Sequence, residues 1–221
     1  MEQKNTRENT EMSEVINSTE LFIEQNKKKI IIVVVAVLVV VLAIFGLRKM
    51  SQNRNEKANA EMYAAEQYFT QGDYKQALEG NTNHAGLAEV AKKYGSTKAG
   101  NRAKYLAAYC NLELGNYADA VKYAKSAKLK DQITKINVVI LNGDAEMELG
   151  NTSKAISLYE KAAKMDDNFI TTPAALRKAA EAYLLEGNKA KAKELAEKVK
   201  DYPESAEYNT IDKLIGLCEA E

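Results

Sequence analysis

FTQGDYKQA (69–77), LELGNYADA (112–120), MELGNTSKA (147–155) and LEGNKAKA (185–192) are four versions of one short phrase. Each holds a glycine, then Asp or Asn, then an alanine five residues after the glycine. The glycines stand at 72, 115, 150 and 187, spaced 43, 35 and 37 residues apart. Self-similarity at such a period marks a stack of small units, none of which can bury its apolar face alone. Glycine enters the left-handed backbone region without a Cβ clash and so can end a helix. The Asp or Asn that follows can cap the next one. Ala77, Ala120, Ala155 and Ala192 are small where the second helix of each unit crosses the first. Seven residues before each glycine stand Ala65, Ala108, Gly143 and Ala180, again small, and Ala127, Ala162 and Val199 follow later in the second helix. Small residues on both sides let two helices approach closely, so each unit is predicted to be a tight helix pair.

Over residues 58–206 this pattern resembles the tetratricopeptide repeat, whose period is about 34 residues. The last three units fit it and the first carries an insertion, Gly80 to Gly100. Within the insertion a short helix is expected over Ala85–Tyr94, closed by Gly95 and restarted after Ser96-Thr97, with His84 in the loop before it. Two features of the repeat are lost. Where a bulky aromatic is expected near the start of the first helix, the chain has Glu61, Lys104, Val139 and Leu176, and the proline after the second helix survives only as Pro203. Ser205–Ala220 places Ile211, Leu214, Ile215 and Cys218 on one face, as a terminal helix covering the end of a solenoid would. The expected fold is all-α: a tetratricopeptide-like α-solenoid over 58–221 with a C-terminal capping helix.

Upstream the alphabet changes. Residues Ile30–Leu47 read IIIVVVAVLVVVLAIFGL, without a charge or a polar side chain. As a helix this run covers roughly 27 Å, close to the hydrocarbon thickness of a bilayer. In lipid the backbone must satisfy its own hydrogen bonds, which leaves a helix as the conformation of a lone span. Lys27, Lys28 and Lys29 on one side and Arg48 and Lys49 on the other are placed to reach headgroups. The run is longer than a signal-peptide core, follows a mainly polar stretch of 29 residues and ends without a small-x-small cleavage site, so it is read as an uncleaved anchor. Basic residues near the two ends are nearly balanced, and Lys4 and Arg7 tip the count slightly toward an N-terminus inside the cell. Residues 1–29 form a cytoplasmic N-terminal segment in this reading. Its first dozen residues are expected to be disordered, and Val15, Ile16, Thr19, Phe22 and Ile23 form one face of an amphipathic helix over Ser13–Lys28. Residues 48–57 are assigned to a linker.

The remaining composition excludes several functions. Net charge is zero, and from Ala58 onward 22 Lys and Arg face 24 Asp and Glu, a balance unlike a nucleic-acid surface. No Gly-rich phosphate loop, HExxH, CxxC or GxSxG occurs, and the single histidine leaves no basis for a zinc site or a triad. Glu146/Glu148 and Asp166/Asp167 are too close in sequence to face each other on a helix and are read as solvated. Cys110 and Cys218 sit among apolar residues and are read as small buried hydrophobes, with a disulfide between them the alternative. No catalytic, metal or cofactor set is assigned, and the chain is expected to be a binding protein rather than an enzyme.

The layout as a whole, a short polar N-terminus containing ELFIEQNKKK, one span and then degenerate repeats, resembles the YfgM-type family of membrane-anchored tetratricopeptide proteins of Gram-negative bacteria. That resemblance implies a cytoplasmic N-terminus, a periplasmic repeat domain, and association with the Sec translocon and periplasmic chaperones. Laying the tetratricopeptide register on the chain puts Met62, Glu66, Phe69, Arg102, Tyr105, Tyr109, Ile140, Asp144, Arg177 and Glu181 near the groove that such repeats use for polypeptides. For Tyr105 and Tyr109, four residues apart, core stacking is an equal reading. Met62 and Glu66 stand where a carboxylate-clamp repeat would carry Lys and Asn, which argues against that form of C-terminal recognition. Two functions fit: a tethered module that assists translocation or hands chains to chaperones, or a scaffold that assembles an envelope complex.

Overall fold

The structure is a computed structural model that describes the backbone of residues 2–220 and the side chains of residues 24–220. It divides into two units, Met1–Gln52 and Asn53–Glu221. The described residues of the first unit lie within helix α1, Glu2–Thr70. Residues 48–57, assigned to a linker, are helical, and so is the backbone of the first dozen residues from Glu2 on, where disorder was expected. The amphipathic face proposed for Val15, Ile16, Thr19, Phe22 and Ile23 falls outside the residues whose side chains are described. Ile30–Leu47 is exposed all round, with Leu42 at 70% and Phe45 at 73%. A helix of a soluble domain must bury such a surface. Among the described residues this is the one helix long and apolar enough to cross a membrane.

Among its described residues the second unit holds the end of α1 and nine further helices: α2 (Tyr74–Glu79), α3 (Leu87–Tyr94), α4 (Lys98–Glu113), α5 (Tyr117–Ser126), α6 (Gln132–Glu148), α7 (Thr152–Met165), α8 (Thr172–Leu185), α9 (Lys189–Val199) and α10 (Ile211–Glu219). Packing follows chain order: α4 on α5, α5 on α6, α6 on α7, and so to α10 on α9. The result is a one-dimensional stack of helix pairs.

One turn geometry recurs in all four pairs. Gly72, Gly115, Gly150 and Gly187 have φ of +79°, +76°, +77° and +80°, the left-handed region that a Cβ disfavours. Each glycine N–H donates to the carbonyl three residues back, at Phe69, Leu112, Met147 and Leu184. The next N–H, of Asp73, Asn116, Asn151 or Asn188, donates to the carbonyl five residues back. These two bonds close the Schellman motif and satisfy the last carbonyls of the first helix. Side-chain capping is less uniform. Asp73 and Asn188 accept the N–H of Gln76 (3.0 Å) and Lys191 (3.2 Å), as expected of N-caps. Asn116 and Asn151 make no such bond.

The crossings are as close as the alanines predict. Ala77, Ala120, Ala155 and Ala192 are fully buried, and so are Ala108 and Ala180 opposite them. Replacing Ala120 or Ala155 with Leu should destabilise the domain by about 1–3 kcal/mol through overpacking. Thermal melts of the two variants matching the parent would show that the helices can separate freely.

The first pair departs from the others. Its second helix, α2, is only six residues, and α3 takes over the rest of its packing, with Leu87, Val90, Ala91 and Tyr94 buried. Gly95 and Thr97 end α3 and cap α4 at the expected places, and His84 is exposed in the loop. At the other end α10 begins at Ile211 rather than Ser205, after a run of turns. Ile211 and Cys218 are buried, while Leu214 and Ile215 pack half-buried against the C-terminal core. Cys110 lies in the N-terminal core, far along the stack from Cys218, and both are free and buried. Burial pushes the Cys110 thiol up to about 12, so it behaves as a small hydrophobe.

Candidate protein-binding groove

The ten residues assigned to a groove sit on α1, α4, α6 and α8, the first helices of the four pairs. Their environments differ. Met62 (1% exposed) and Ile140 (8%) face inward and belong to the hydrophobic core, so they do not line a surface. Both stand where the apolar stripe of a first helix meets its partner. The sequence register alone could not assign such border positions to core or groove.

The other eight are half-buried or exposed and several are joined across neighbouring pairs. Glu66 on α1 and Arg102 on α4 form an ion pair at 2.9 Å. Asp144 on α6 meets Lys178 on α8 at 2.8 Å and accepts a 2.7 Å bond from the Tyr159 hydroxyl on α7. Phe69 packs edge-on against Tyr109 and Tyr74, with centroids 5.4 and 5.8 Å away. Tyr109 is thus stacked into an aromatic cluster, whereas Tyr105, four residues before it, borders an open concavity of about 1140 Å³. Arg177 and Glu181 pair with each other along α8. Both border a second, smaller concavity of about 500 Å³ against α10, walled by Leu184, Leu185, Leu214 and Leu217. Lys178 and Leu185 line a further concavity together with Asp144 and Glu181, and the repeat register does not single them out.

Glu146 corrects the sequence reading. Its side chain is 1% exposed rather than solvated. Lys125 of α5 (3.4 Å) and Lys154 of α7 pair with one carboxylate oxygen, and the Asn151 amide donates to the other at 2.9 Å. Burial pushes the carboxyl pKa up, but the bonds from Lys154, Asn151 and Lys125 outweigh it and hold the group below its ordinary value. Among the described residues no group of three or more His, Cys, Asp or Glu is placed to hold a metal ion.

Residues 140–206 match a sequence model of the tetratricopeptide repeat. A search of curated proteins returns no match. Among solved structures the chain is similar to the crystal structure of MamA protein, with TM-score 0.55 and 17% identity over 74% of this chain and 81% of that one. It is also similar to a Podospora anserina kinesin-light-chain-type protein of nearly identical TPR-like repeats, with TM-score 0.59 and 16% identity over 74% of this chain and 85% of that one. At such identities the likeness is one of fold. In fold the described residues form a tetratricopeptide-like α-solenoid, joined to one helix long and apolar enough to span a membrane.

Proposed function

We propose that the protein is a membrane-tethered interaction module that receives polypeptides on the face made by α1, α4, α6 and α8. On this reading residues 30–47 cross the inner membrane, the N-terminus is cytoplasmic, and the repeats stand on the periplasmic side. There they assist protein translocation or pass exported chains to chaperones. The observation that carries the proposal is the pairing of an uncovered apolar span with a row of aromatic and charged side chains on successive first helices. Tethering raises the effective concentration of that row near any membrane-embedded partner, so weak contacts suffice. The placement is supported by the slight basic excess before the span and by the resemblance to YfgM-type proteins.

Crosslinkers placed at Tyr105 and Arg177 of the full-length protein should capture translocon subunits, chaperones or emerging chains. Capture only from α5, α7 and α9 would move the binding face to the other side. Division or wall-assembly proteins in place of secretory ones would favour the envelope scaffold. A reporter fused after Glu221 should be active only when exported, and a signal confined to the cytoplasm refutes the orientation. Full-length protein should stay in the membrane pellet after an alkaline wash, while residues 58–221 alone should be soluble and helical. Recovery of the full-length chain in the washed supernatant overturns the anchor.

A further inference from the structure

We propose that the concavity at the heads of α4 and α6 is a docking site for an acidic, partly apolar peptide segment of a partner protein. This deepens the interaction-module reading and rests on it. The concavity, about 1140 Å³, is bounded by the α3–α4 turn, the first half of α4, and the segment that joins α5 to α6. Five cationic side chains line it against a single carboxylate, Asp131. That carboxylate is committed to its own helix. One oxygen accepts the N–H of Thr134 at 2.8 Å and its hydroxyl at 2.7 Å, which holds the carboxyl below its usual range.

The cations divide by their commitments. Arg102 is paired with Glu66. Lys104 turns inward onto the Gly95 carbonyl at 2.8 Å, where burial and the nearby Lys128 push its pKa down. Lys98, Lys128 and Lys130 are exposed and have no ion-pair partner among the described residues. Several lysines elsewhere in the domain are paired: Lys93, Lys125, Lys154, Lys178, Lys193 and Lys200 each meet a carboxylate on another element, whereas these three gather around one hollow that holds a single carboxylate. The domain is near neutral overall, so an uncompensated basic cluster is a local departure, and like charges held together repel unless an anion joins them.

The shape and the floor narrow the anion. Tyr105, Leu106 and Leu129 give the concavity an apolar base between the lysines. The N-termini of α4 and α6 add partial positive charge at its rim. A hollow with an apolar base suits a chain segment that carries carboxylates on one side and an aliphatic residue on the other. A flat bilayer surface would reach the lysine tips but not that base.

The test uses full-length protein in a zwitterionic detergent and two fluorescein-labelled ten-residue peptides, one alternating Glu and Leu, the other Gln and Leu. Fluorescence anisotropy should show the Glu peptide bound about tenfold or more tightly than the Gln peptide, with the difference shrinking between about 50 and about 300 mM salt. The triple change K98E/K128E/K130E should weaken the Glu peptide by about tenfold or more, and K98Q/K128Q/K130Q by less. If the charge-reversed protein does not fold, the glutamine triple alone carries the comparison. Equal binding of the two peptides, or unchanged binding by the glutamine triple, overturns the proposal. In nanodiscs, displacement of the Glu peptide by anionic but not zwitterionic lipid would assign the cluster to the membrane surface and also overturn it. Partner capture from Arg177, at the other end of the row, separates the two readings. Capture without peptide binding removes only this inference, whereas loss of capture in the parent protein removes the interaction-module reading.

Discussion

Replacing Tyr159 with Ala lowers the stability of the repeat domain by about 3–4 kcal/mol, and the size of the loss depends on the residue at 143. Tyr159 is 3% exposed, and its ring fills the space between α7 and α6 where a glycine, Gly143, stands on α6. A Cβ built on Gly143 would lie 2.5 Å from Tyr159 Cε1 and 2.8 Å from Cδ1. The ring has little room to yield, because its hydroxyl donates to Asp144 at 2.7 Å and the Lys178 ammonium lies 6.0 Å over its face. Gly143→Ala alone should therefore destabilise. Overpacking costs about 1–3 kcal/mol, and the better helix propensity of Ala returns about 1 kcal/mol of it. In the Tyr159→Ala background the same change meets no ring and should be neutral or stabilising. That double variant reproduces what the neighbouring pairs already have, Ala108 with Ala124 and Ala180 with Ala196. Circular-dichroism melts of the two single variants and the double, in detergent, measure the coupling. Simple additivity of the two single effects would mean that the ring is not locked by the glycine.

This pair also marks the limit of what the repeat phrase discloses. Gly143 was recognised as the small residue seven positions before Gly150, and it does face the second helix as expected. Its large partner went unseen because position 159 has no counterpart among the shared residues of the phrase. The turns were legible because one backbone requirement, positive φ, admits glycine almost alone, and it recurs at all four sites. The crossings were legible because close approach admits only small side chains. Border positions were not. Met62 and Ile140 satisfy the same helical spacing whether they face core or solvent, and only the packing of α2–α3 and α7 decides it. Charge pairing between units, such as Glu66 with Arg102 and Asp144 with Lys178, spans 36 and 34 residues and leaves no local trace. The lysines around Tyr105 come from two segments about thirty residues apart that only the stacking brings together.

Glu146 extends the same lesson to energetics, and its removal is the second large effect expected. Glu146→Ala should destabilise the domain by about 2–3 kcal/mol, since a buried carboxylate loses charge-assisted bonds to elements on both sides. The loss should stay below that of a fully trapped ion pair, because the two lysines are 52% and 53% exposed and can return to water when the carboxylate is gone. Asn151 is the more sensitive partner. Its amide is held by Glu146 at 2.9 Å, and its N–H donates to the Glu146 carbonyl at 2.9 Å, so the side chain braces the turn between α6 and α7. The pH dependence has a definite sign. The folded carboxyl lies below its ordinary value, so its contribution is fully present above the unfolded value near 4.3 and is lost as pH falls through the folded value. Chemical-denaturant unfolding of the parent and of Glu146→Gln should therefore differ by a constant amount between about pH 6 and pH 8 and converge below about pH 4. A gap that persists unchanged into acid would mean that the carboxylate acts through its shape alone. A gap that widens toward acid would mean that burial, not the lysines and Asn151, sets its charge.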